Sequence, residues 1–421
     1  MQHPFQATLA YATELDQKDT LNKFRNEFHF PQHQGKEVIY FCGNSLGLQP
    51  KNVAKAFETE LNTWKEIAVG GYFNGPNPWL YFQEYLKPAL SRLVGAKEKE
   101  VSAMNALTVN LHLLMLSFYK PTANRFKIIM EAGAFPSDQY AVETLVRHFG
   151  LNPDEAIIEI HPLDGAKTLT TQQITDTIKA TGNELAMVLF GGINYYTGQF
   201  FDIASITKAT HDVGAIAGFD LAHVTGNIPL ELHDWNVDFA AWCSYKYLNA
   251  GPGATGGYFI HETHLDNPSI NRLAGWWGND ESSRFKMEKG FIPKKDASSW
   301  NISTAQVFNM TALKASLEVI DKAGIKALRE KSIALTNYLA FLLQQLSNIN
   351  FEIITPSEPA QRGAQLSLYF KERGKEIHAK MIESGIIVDY REPGVIRVAP
   401  APLYCGFADV YRFYEILKSN F

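Results

Sequence analysis

The chain has few cysteines and no strong excess of charge of either sign. Its three cysteines, Cys42, Cys243 and Cys405, are odd in number and far apart in 421 residues, which argues against a disulfide framework and against a zinc site. We expect them to be buried thiols. Lysine and arginine number 39 against 44 aspartates and glutamates, a formal net charge of −5, and no long basic tract occurs. Nucleic acids and anionic membranes are therefore not expected partners, which leaves small-molecule chemistry.

Long apolar runs are also missing. The best candidate for a membrane span, Leu107 to Phe118, is short and is interrupted by Asn110 and His112. The first residues, Met1-Gln-His-Pro, do not show the charged and then apolar pattern of a secretory signal, so a cytoplasmic location is expected. With 46% hydrophobic residues, the chain can bury large cores and is long enough for more than one domain.

Short β-rich runs alternate with helical patterns over much of the chain. The predicted strands are Lys127 to Met130, Ala156 to Ile160, Ala186 to Phe190, Ala215 to Phe219, Phe239 to Cys243 and Tyr258 to Ile260. Helical patterns at Ser137 to Phe149, Thr171 to Ala180 and Ile203 to Val213 separate several of them. The alternation predicts an α/β fold with a mainly parallel sheet covered by helices.

The pattern changes after Asn309. A long amphipathic helix from Met310 leads into a segment that predicts a smaller α+β domain. Its elements are strands Phe351 to Ile354 and Gln365 to Phe370, a helix near Glu376 to Ser384, an extended stretch Ile387 to Ala399 and a last helix Asp409 to Leu417. We predict an N-terminal segment of residues 1–48 that packs with the small domain, a large domain of residues 49–309 and a small C-terminal domain of residues 310–421.

A carboxylate and an amine follow two successive predicted strands. Asp220 comes directly after Ala215 to Phe219, and Lys246 lies just past Phe239 to Cys243. The ends of adjacent parallel strands meet at one crevice, so the two charges can face one ligand. Pyridoxal phosphate needs this pair, because an amine condenses with its aldehyde and a carboxylate keeps its pyridine nitrogen protonated. Either residue alone is typical of a solvated loop, but together they predict the cofactor; His223 either packs against its ring or satisfies a core hydrogen bond.

Three further segments offer groups for a phosphate or an aromatic ring. Leu107 and Thr108 begin an apolar helical run whose free N–H groups can bind phosphate, although a threonine there also serves as an ordinary cap. The run Phe135-Pro136-Ser137-Asp138 follows a strand, so Phe135 can cover a ring, while Ser137 or Asp138 can instead cap the next helix. The run Asn194 to Gly198 follows another strand, and a tyrosine hydroxyl there, on Tyr195 or Tyr196, can reach phosphate or substrate, although tyrosines are also common in ordinary turns.

Two patterns are rejected as cofactor or metal motifs. Gly251, Gly253 and Gly256 match the dinucleotide fingerprint by spacing, but a proline interrupts it and a strand-like run follows where a helix is required. His261 and His264 lie three residues apart with no third ligand suggested, so no metal is expected.

Arg397 stands alone in the apolar run Val395 to Pro400. A buried arginine needs an anion, and the carboxylate of an amino-acid substrate, bound bidentately, is one candidate. An internal ion pair satisfies the same requirement, and the spacing does not separate the two.

Taken together, these segments resemble the kynureninase family, class V aminotransferase-like enzymes that use pyridoxal phosphate and have the aspartate-aminotransferase fold (fold type I). The resemblance covers nearly the whole chain. The block around Lys246 is typical of the wider class, whereas the other segments point to this family. The matching segments are Phe41 to Pro50, Phe135 to Asp138, Tyr195 to Gln199, Asp220 to Gly253, Gly275 to Gly278, Arg284 to Met287, Arg362 to Ser367 and Arg397 to Tyr404.

The resemblance implies a role for each matched residue. Lys246 would carry the cofactor, and Asp220 would pair with its pyridine nitrogen. Separately, because Tyr245 is adjacent to Lys246, we take it as the candidate for proton delivery to the alanine product. The residues implied to surround the ring or the phosphate are Leu107, Thr108, Phe135, Pro136, Ser137, Asp138, Tyr196, His223, Tyr245, Trp276 and Thr304. The residues implied to bind substrate are Arg397, Asn44, Ser45 and Tyr72.

The resemblance also implies a reaction and an assembly. The family hydrolyses L-kynurenine or 3-hydroxykynurenine to an anthranilate and L-alanine, in tryptophan breakdown and the route to NAD. Its members are homodimers with active sites at the subunit interface, and Trp276 is expected to reach across from the partner. Thr304 replaces the usual Asn, Gly191 stands where some members have Ser, and Tyr72 occupies a position that varies. These departures leave the preference between the two substrates open.

Two other interpretations remain. A cysteine desulfurase or an aminotransferase can be built on the same scaffold, but a desulfurase needs a mobile nucleophilic cysteine, and Cys243 is expected inside a strand. The chain could also be a catalytically silent protein that only binds the cofactor. The intact set of Lys246, Asp220 and Arg397 argues against that second alternative.

Overall fold

The computed structural model describes residues 5–420. Residues 1–4 and 421, at the ends of the predicted first and last segments, lie outside the described residues, as does the start examined for a secretory signal. The helices are α1 Leu9–Lys18, α2 Asn52–Ile67, α3 Lys87–Val94, α4 Leu107–Phe118, α5 Pro136–His148, α6 Pro153–Ala156, α7 Thr171–Thr181, α8 Ile203–Asp212, α9 Glu281–Arg284, α10 Val307–Ala323, α11 Ile325–Leu343, α12 Gly374–Glu383 and α13 Phe407–Asn420. The strands are β1 Gln32–His33, β2 Lys36–Glu37, β3 Ile39–Tyr40, β4 Val101–Ala103, β5 Lys127–Glu131, β6 Ile157–Ile160, β7 Leu185–Gly191, β8 Ile216–Asp220, β9 Phe239–Trp242, β10 Gly257–Ile260, β11 Glu352–Ile353, β12 Leu366–Tyr369, β13 Ile386–Ile387, β14 Asp389–Arg391 and β15 Val395–Val398.

A seven-stranded sheet with the order β4-β10-β9-β8-β7-β5-β6 forms the centre of the molecule. Strands β5 to β9 run parallel to their neighbours, and only the pairs that β10 makes with β9 and β4 are antiparallel. The predicted mainly parallel sheet is confirmed. The six predicted strands all belong to it, whereas the three-residue β4 was not predicted.

Side chains of the central strands alternate between two apolar layers. Ile129 and Val188 point into one buried cluster, while their neighbours Ile128 and Met187 point into the other. Both faces of the sheet are therefore covered, as a parallel sheet requires. Each fully buried aliphatic side chain contributes about 1.5–3 kcal/mol relative to exposure, so these layers supply most of the driving force that holds the strand ends in place.

The C-terminal part forms a four-stranded antiparallel sheet with the order β11-β12-β15-β14. Gly324, with a φ of +79°, ends α10 in the left-handed region and allows α11 to start in a new direction. The predicted helix from Met310 is α10, but α11 was not predicted as a separate element.

The N-terminal segment contacts the C-terminal elements. Strand β3 pairs in parallel with β13, and Arg25 forms an ion pair of 2.6 Å with Asp409 at the start of α13. The packing of residues 1–48 with the small domain as a unit and the boundaries at residues 48 and 309 stay predictions. Within residues 5–420, no helix is both long enough and apolar enough to cross a membrane.

Candidate active site

A cleft of about 690 Å³ opens at the carboxyl ends of the parallel strands. Asp220 is the last residue of β8, and the chain that leaves β9 brings Lys246 to the same edge. Nine of the predicted site residues line this cleft: Leu107, Thr108, Phe135, Ser137, Asp138, Asp220, His223, Tyr245 and Lys246. The fold thus brings together side chains that are up to 139 positions apart in the sequence, from Leu107 to Lys246.

His223 and Lys246 are in direct contact. The amine Nζ lies 3.0 Å from His223 Nε2, and it also lies 6.0 Å from the centre of the Phe135 ring. Burial and the charge of Lys246 hold the pKa of His223 well below its ordinary value, so the imidazole is neutral and its Nε2 accepts from the amine. Its other nitrogen, Nδ1, is buried without a hydrogen-bond partner. An unsatisfied buried group of this kind is available to a ligand.

Two buried carboxyl groups share the floor of the cleft. Asp220 Oδ1 accepts a hydrogen bond of 2.7 Å from the Ala222 N–H. Burial raises the pKa of Asp220, while the Lys246 charge opposes the rise. Burial, together with the charge of Asp220, raises the pKa of Asp138 much further, so Asp138 is the protonated member and donates to Asp220. Asp138 Oδ1 is left without a partner.

Two helices begin at the cleft. Helix α4 starts at Leu107 and α5 starts at Pro136, and neither has a side chain that caps its first N–H groups. In α5, Pro136 has no N–H and the Asp138 N–H donates to the Phe135 carbonyl, so the Ser137 N–H is its available donor. Together with the first N–H groups of α4, the Thr108 and Ser137 side chains and the positive ends of the helix dipoles, it forms a site for an anion such as phosphate. The predicted alternative, ordinary side-chain caps by Ser137 or Asp138, is not what the structure shows, because the N-cap of α5 is Phe135.

These features fit pyridoxal phosphate. Lys246 would supply the amine that condenses with the cofactor aldehyde, Asp220 offers a carboxylate for the pyridine nitrogen, and the exposed Phe135 ring can cover one face of the cofactor. The unpartnered atoms Asp138 Oδ1 and His223 Nδ1 lie on the walls that such a ring would contact.

Glu131 also lines the cleft and was not predicted. It is the last residue of β5 and is 3% exposed. The predicted strand ended one residue earlier, at Met130, so the same signal that identified Asp220, an acid directly after an apolar strand, was present. Tyr195 was missed as well; its ring packs edge-on against Phe135 at a centroid distance of 5.2 Å.

Several predicted residues lie away from this cleft in the described chain. Tyr196 lines an adjacent polar cleft that also contacts Glu131, and Pro136 lies between Phe135 and Ser137 without lining the main cleft. Tyr72 lies in a separate apolar pocket with Trp64, Trp79 and Phe308. Their roles stay predictions.

Trp276 and Thr304 are both exposed, and neither lines the cleft. The Trp276 side chain is held by a hydrogen bond of 3.1 Å from Nε1 to the Arg284 carbonyl. The fixed ring of Trp276 therefore presents an outer surface, and the expected contribution to a partner's site stays a prediction.

Arg397 forms the internal ion pair that the sequence left open. Its Nε donates to Asp389 Oδ1 at 2.6 Å, its Nη2 donates to Asp389 Oδ2, and its Nη1 donates to the Tyr195 carbonyl at 2.9 Å. A guanidinium has five N–H donors, so one on Nη1 and one on Nη2 remain. Hydrogen bonding to Arg397 outweighs burial and lowers the pKa of Asp389, which was not predicted as a partner. Arg397 is only 1% exposed and does not line the main cleft, so its contact with a substrate carboxylate stays a prediction.

Asn44 and Ser45 lie on the segment that follows β3. Asn44 is fully buried and donates from Nδ2 to Gln365 Oε1 at 2.8 Å, while its Oδ1 is left without a partner. Ser45 is half-buried, and its N–H donates to the Cys42 carbonyl. Their contact with substrate stays a prediction.

The rejected motifs have structural roles. A strand, β10, follows Gly256, so the glycine run does not open a helix. His264 Nε2 lies 2.7 Å from Asp238 Oδ1, and His261 stacks on His233 with parallel rings 5.0 Å apart. Ligand atoms of Glu100, His233 and His261 lie within 4.8 Å of one another, but Glu100 Oε1 already accepts from the Glu262 N–H and Oε2 from the Lys97 N–H. Cys42, Cys243 and Cys405 are free and buried, as predicted.

Comparisons with known proteins give a consistent result. The kynureninase C-terminal domain family matches residues 328–417. The kynureninase of Flavobacterium psychrophilum is 50% identical over 419 residues, which cover 99% of each chain. The kynureninase of Myxococcus xanthus is 50% identical over 99% of this chain and 98% of its own, and that of Dictyostelium discoideum is 46% identical over 97% and 95%.

Solved structures share the fold at low identity. A cystine C-S lyase in complex with cysteine persulfide matches with a TM-score of 0.76 at 17% identity, covering 91% of this chain and 97% of its own. A cysteine desulfurase of Escherichia coli matches with a TM-score of 0.76 at 17% identity over 94% and 97%. These matches establish the chain fold as that of the desulfurase group and nothing about its substrate.

Proposed function

The chain belongs to the kynureninase family, and we propose that it hydrolyses the Cβ–Cγ bond of L-kynurenine or 3-hydroxykynurenine, giving an anthranilate and L-alanine with pyridoxal phosphate as cofactor. The observation that carries the proposal is the convergence of Asp220, His223 and Lys246 at one strand edge, with the Lys246 amine 3.0 Å from a neutral histidine.

The cofactor, when bound, supplies an aldehyde for an amine and a ring that withdraws electrons from the substrate α-carbon. Lys246 would hold it through its amine, and the same amine would then take the proton from the substrate Cα. Asp220 would keep a proton on the pyridine nitrogen. The N-termini of α4 and α5, with Thr108, would hold the phosphate.

The substrate is oriented by its carboxylate. The two N–H donors that Arg397 retains beside Asp389 suit a bidentate contact, with Asn44 and Ser45 nearby in the predicted set. Tyr245 would deliver a proton to the carbon that becomes the alanine methyl group. Burial holds the pKa of the Tyr245 hydroxyl well above its usual range, which keeps the proton available for donation at neutral pH. Unchanged turnover and an unchanged anthranilate burst in Tyr245→Phe would refute this role.

The test is the release of anthranilate from L-kynurenine by the purified protein with pyridoxal phosphate, followed by fluorescence, beside 3-hydroxykynurenine followed by absorbance. Product from either substrate supports the proposal. If neither is cleaved while the cofactor is visibly bound, the assignment fails, and amino acids are then screened for transamination and desulfuration. The second of these has little support, because the thiols of Cys243 and Cys405 are buried.

The ratio of the rates with L-kynurenine and 3-hydroxykynurenine tests whether the residues that depart from the family pattern affect substrate preference. Thr304→Asn restores the residue usual in the family, and we expect it to change the preference between the two substrates by a few-fold, on the order of 1 kcal/mol in differential binding. Tyr72→Phe and Gly191→Ser are the companion variants. A ratio that none of the three changes removes these positions from the specificity determinants.

We propose a homodimer and a cytoplasmic location as well. Large apolar side chains are exposed in two segments, among them Trp64 and Val69 in one and Met287 and Ile292 in the other, at 53–76% of their area. Such surfaces favour burial against a second copy. Sedimentation of the protein and of Met287→Asp/Ile292→Asp tests the dimer, and fractionation of the source cells tests the location.

A further inference from the structure

Three neighbouring strand ends carry an acid, a glycine and an acid. In the central sheet β7 lies between β5 and β8, and these strands end at Glu131, Gly191 and Asp220. Gly191 pairs directly with Asp220 across β7 and β8. The Glu131 carboxyl reaches toward Gly191, whose N–H donates to its two oxygens at 3.3 and 3.2 Å. Glu131 thus occupies the position next to Gly191 on the side opposite Asp220.

The absence of a side chain at Gly191 makes room for this carboxyl group. A Cβ added at Gly191 would lie 2.9 Å from Glu131 Oε1, closer than side-chain atoms tolerate. Any other residue at position 191 therefore displaces the Glu131 carboxyl. Glu131 and Gly191 form a matched pair at the bottom of the site.

The cleft holds more carboxyl groups than cations. Glu131, Asp138 and Asp220 are only 3%, 5% and 7% exposed. Of the described residues that line the cleft, Lys246 alone carries a positive charge, because His223 is neutral. Three ionised carboxylates beside one ammonium would leave two buried charges without compensation, which is costly in a low-dielectric site. At neutral pH, two of the three must carry a proton.

The contacts indicate which member is ionised. Asp220 faces the Lys246 charge and accepts from the Ala222 N–H and from Asp138. Glu131 accepts hydrogen bonds from its own backbone N–H and, at long distance, from the Gly191 N–H, but burial outweighs them and, together with the charge of Asp220, raises its pKa to about 8. Asp220 is therefore the anion, and Glu131 and Asp138 are the acids.

We propose that Glu131 is a positioning residue of the active site: an uncharged carboxylic acid that fills the space over Gly191 and leaves Asp220 as the single anion available to the pyridine nitrogen of the cofactor. Ionisation of Glu131 would place a second negative charge beside Asp220 and favour protonation of groups on the cofactor and of Lys246. The inference rests on the proposed function only in taking pyridoxal phosphate as the ligand of this cleft.

The test follows the absorbance spectrum of the bound cofactor in the holoenzyme from about pH 6 to about pH 10. Glu131→Gln is an isosteric mimic of the protonated acid. The matched control is Glu159→Gln, which removes an exposed glutamate from β6, the strand next to β5. We expect the parent and Glu159→Gln to show an inflection near the Glu131 pKa of about 8 that Glu131→Gln lacks. Identical curves for the parent and Glu131→Gln would overturn the proposal.

Two further measurements separate a neutral acid from a buried carboxylate. Cofactor affinity at neutral pH should be the same for Glu131→Gln and the parent within about two-fold, since the uncharged form is preserved. A loss of about ten-fold or more would mean that the negative charge is needed, and would overturn the proposal. Infrared difference spectra of the parent should contain the carbonyl stretch of a protonated carboxylic acid, and Glu131→Gln should lack it. If the parent does not show this band, the proposal is overturned.

Gly191→Ala tests the geometry without changing the charge. Its Cβ displaces the Glu131 carboxyl from the Gly191 N–H, so the inflection should move to higher pH; an unmoved inflection contradicts the arrangement. None of these readouts needs kynurenine. If they come out as expected while no kynurenine is cleaved, the proposed function fails and the inference about Glu131 survives.

Discussion

The two ends of strands β8 and β9 carry acidic clusters of opposite character. At the amino end, Asp238 is fully partnered: its oxygens lie 2.8 Å from His211 Nε2 and 2.7 Å from His264 Nε2, and the Ala217 N–H donates to it at 2.7 Å. At the carboxyl end, Asp220 is crowded by other carboxyl groups, and buried atoms of Asp138 and His223 have no partner.

The pKa of an aspartate carboxyl group is therefore shifted in opposite directions at the two ends of these strands. Burial acts to raise the pKa of each aspartate, but hydrogen bonds from His211 and His264 outweigh it at Asp238, whose pKa is lowered. At Asp220 and Asp138 burial wins, and both pKa values are raised. The cluster around Asp238, whose carboxyl oxygens all have hydrogen-bond partners, stabilises the fold. The cluster around Asp220 contains buried polar atoms without partners, and these are available to bind a ligand.

The largest expected effect comes from removing the amine of the unsatisfied cluster. Lys246→Ala should lower turnover by about 10³-fold or more and abolish the absorbance of the cofactor attached to the amine, because no other described residue of the cleft supplies an amine. Turnover assays and absorbance spectra of the protein reconstituted with pyridoxal phosphate measure these two effects. Lys208→Ala, at an exposed helical pair with Asp212, is the control and should be silent. Turnover retained in Lys246→Ala would contradict the role of Lys246 as the amine of the active site.

Exchanging the two aspartates for asparagine tests the comparison itself. Asp220→Asn should lower kcat by about 100-fold while the unfolding midpoint stays the same or rises, since a crowded buried charge is removed. Asp238→Asn should cost about 2–4 kcal/mol of stability with kcat per folded molecule unchanged, because two histidines lose their partner. Urea melts and steady-state kinetics measure both. If Asp238→Asn is instead stable and inactive, the functional site lies at the amino end of these strands and the structural cluster at the carboxyl end.

The pH dependence of stability should differ in sign between the two ends. The depressed pKa of Asp238 contributes stability above the unfolded value of about 3.9 that is lost as the pH falls through the folded pKa. The raised pKa of Glu131, about 8, makes the folded state bind the proton more tightly, so stability is lost as the pH rises from about 4.3 to about 8.

Thermal melts of the cofactor-free protein measure this difference. Relative to the parent, Glu131→Gln should gain on the order of 4 kcal/mol between about pH 5 and about pH 9, since the glutamine never has to ionise. Parallel stability curves for the two proteins would show that Glu131 does not titrate in this range.

The smallest expected effect concerns Arg397, which combines features of both ends. It is paired with Asp389 like a structural group, yet one N–H on Nη1 and one on Nη2 are not used by Asp389 or by the Tyr195 carbonyl. Arg397→Lys should raise KM for L-kynurenine by about ten-fold with little change in kcat, because a point charge replaces the bidentate fork. A variant that instead loses stability with an unchanged KM would place Arg397 with the structural pairs.

The sequence predicted the central features of the site because each carries a local signal. Asp220 and Lys246 follow apolar strands, which the two-residue alternation of side chains identifies. The carboxyl ends of adjacent parallel strands lie at the same edge of a sheet, so the two residues are expected close together. The predicted strands of the central sheet appear within one or two residues of their predicted ends.

The missing parts depend on information that is not local. Glu131 follows an apolar strand as Asp220 does, but its position beside Gly191 depends on the strand order β5-β7-β8. The partners of Asp238 come from α8 and from the segment after β10. Tyr195 lines both the main cleft and the adjacent one, whereas Tyr196 lines only the adjacent one, and a turn sequence does not specify this difference. Strand β4 is too short to show a pattern, and the expected role of Trp276 involves a second chain.

Reductive trapping of the bound cofactor, followed by peptide mapping, tests the central claim that the carboxyl end of the sheet holds it at Lys246. Borohydride fixes the cofactor to the amine that carries it, and mass spectrometry then locates the modified lysine. The account predicts modification of Lys246 in the parent protein and in Asp238→Asn, and none of this peptide in Lys246→Ala. Stoichiometric labelling of a different lysine, or cofactor that escapes with Lys246 unmodified, would contradict it.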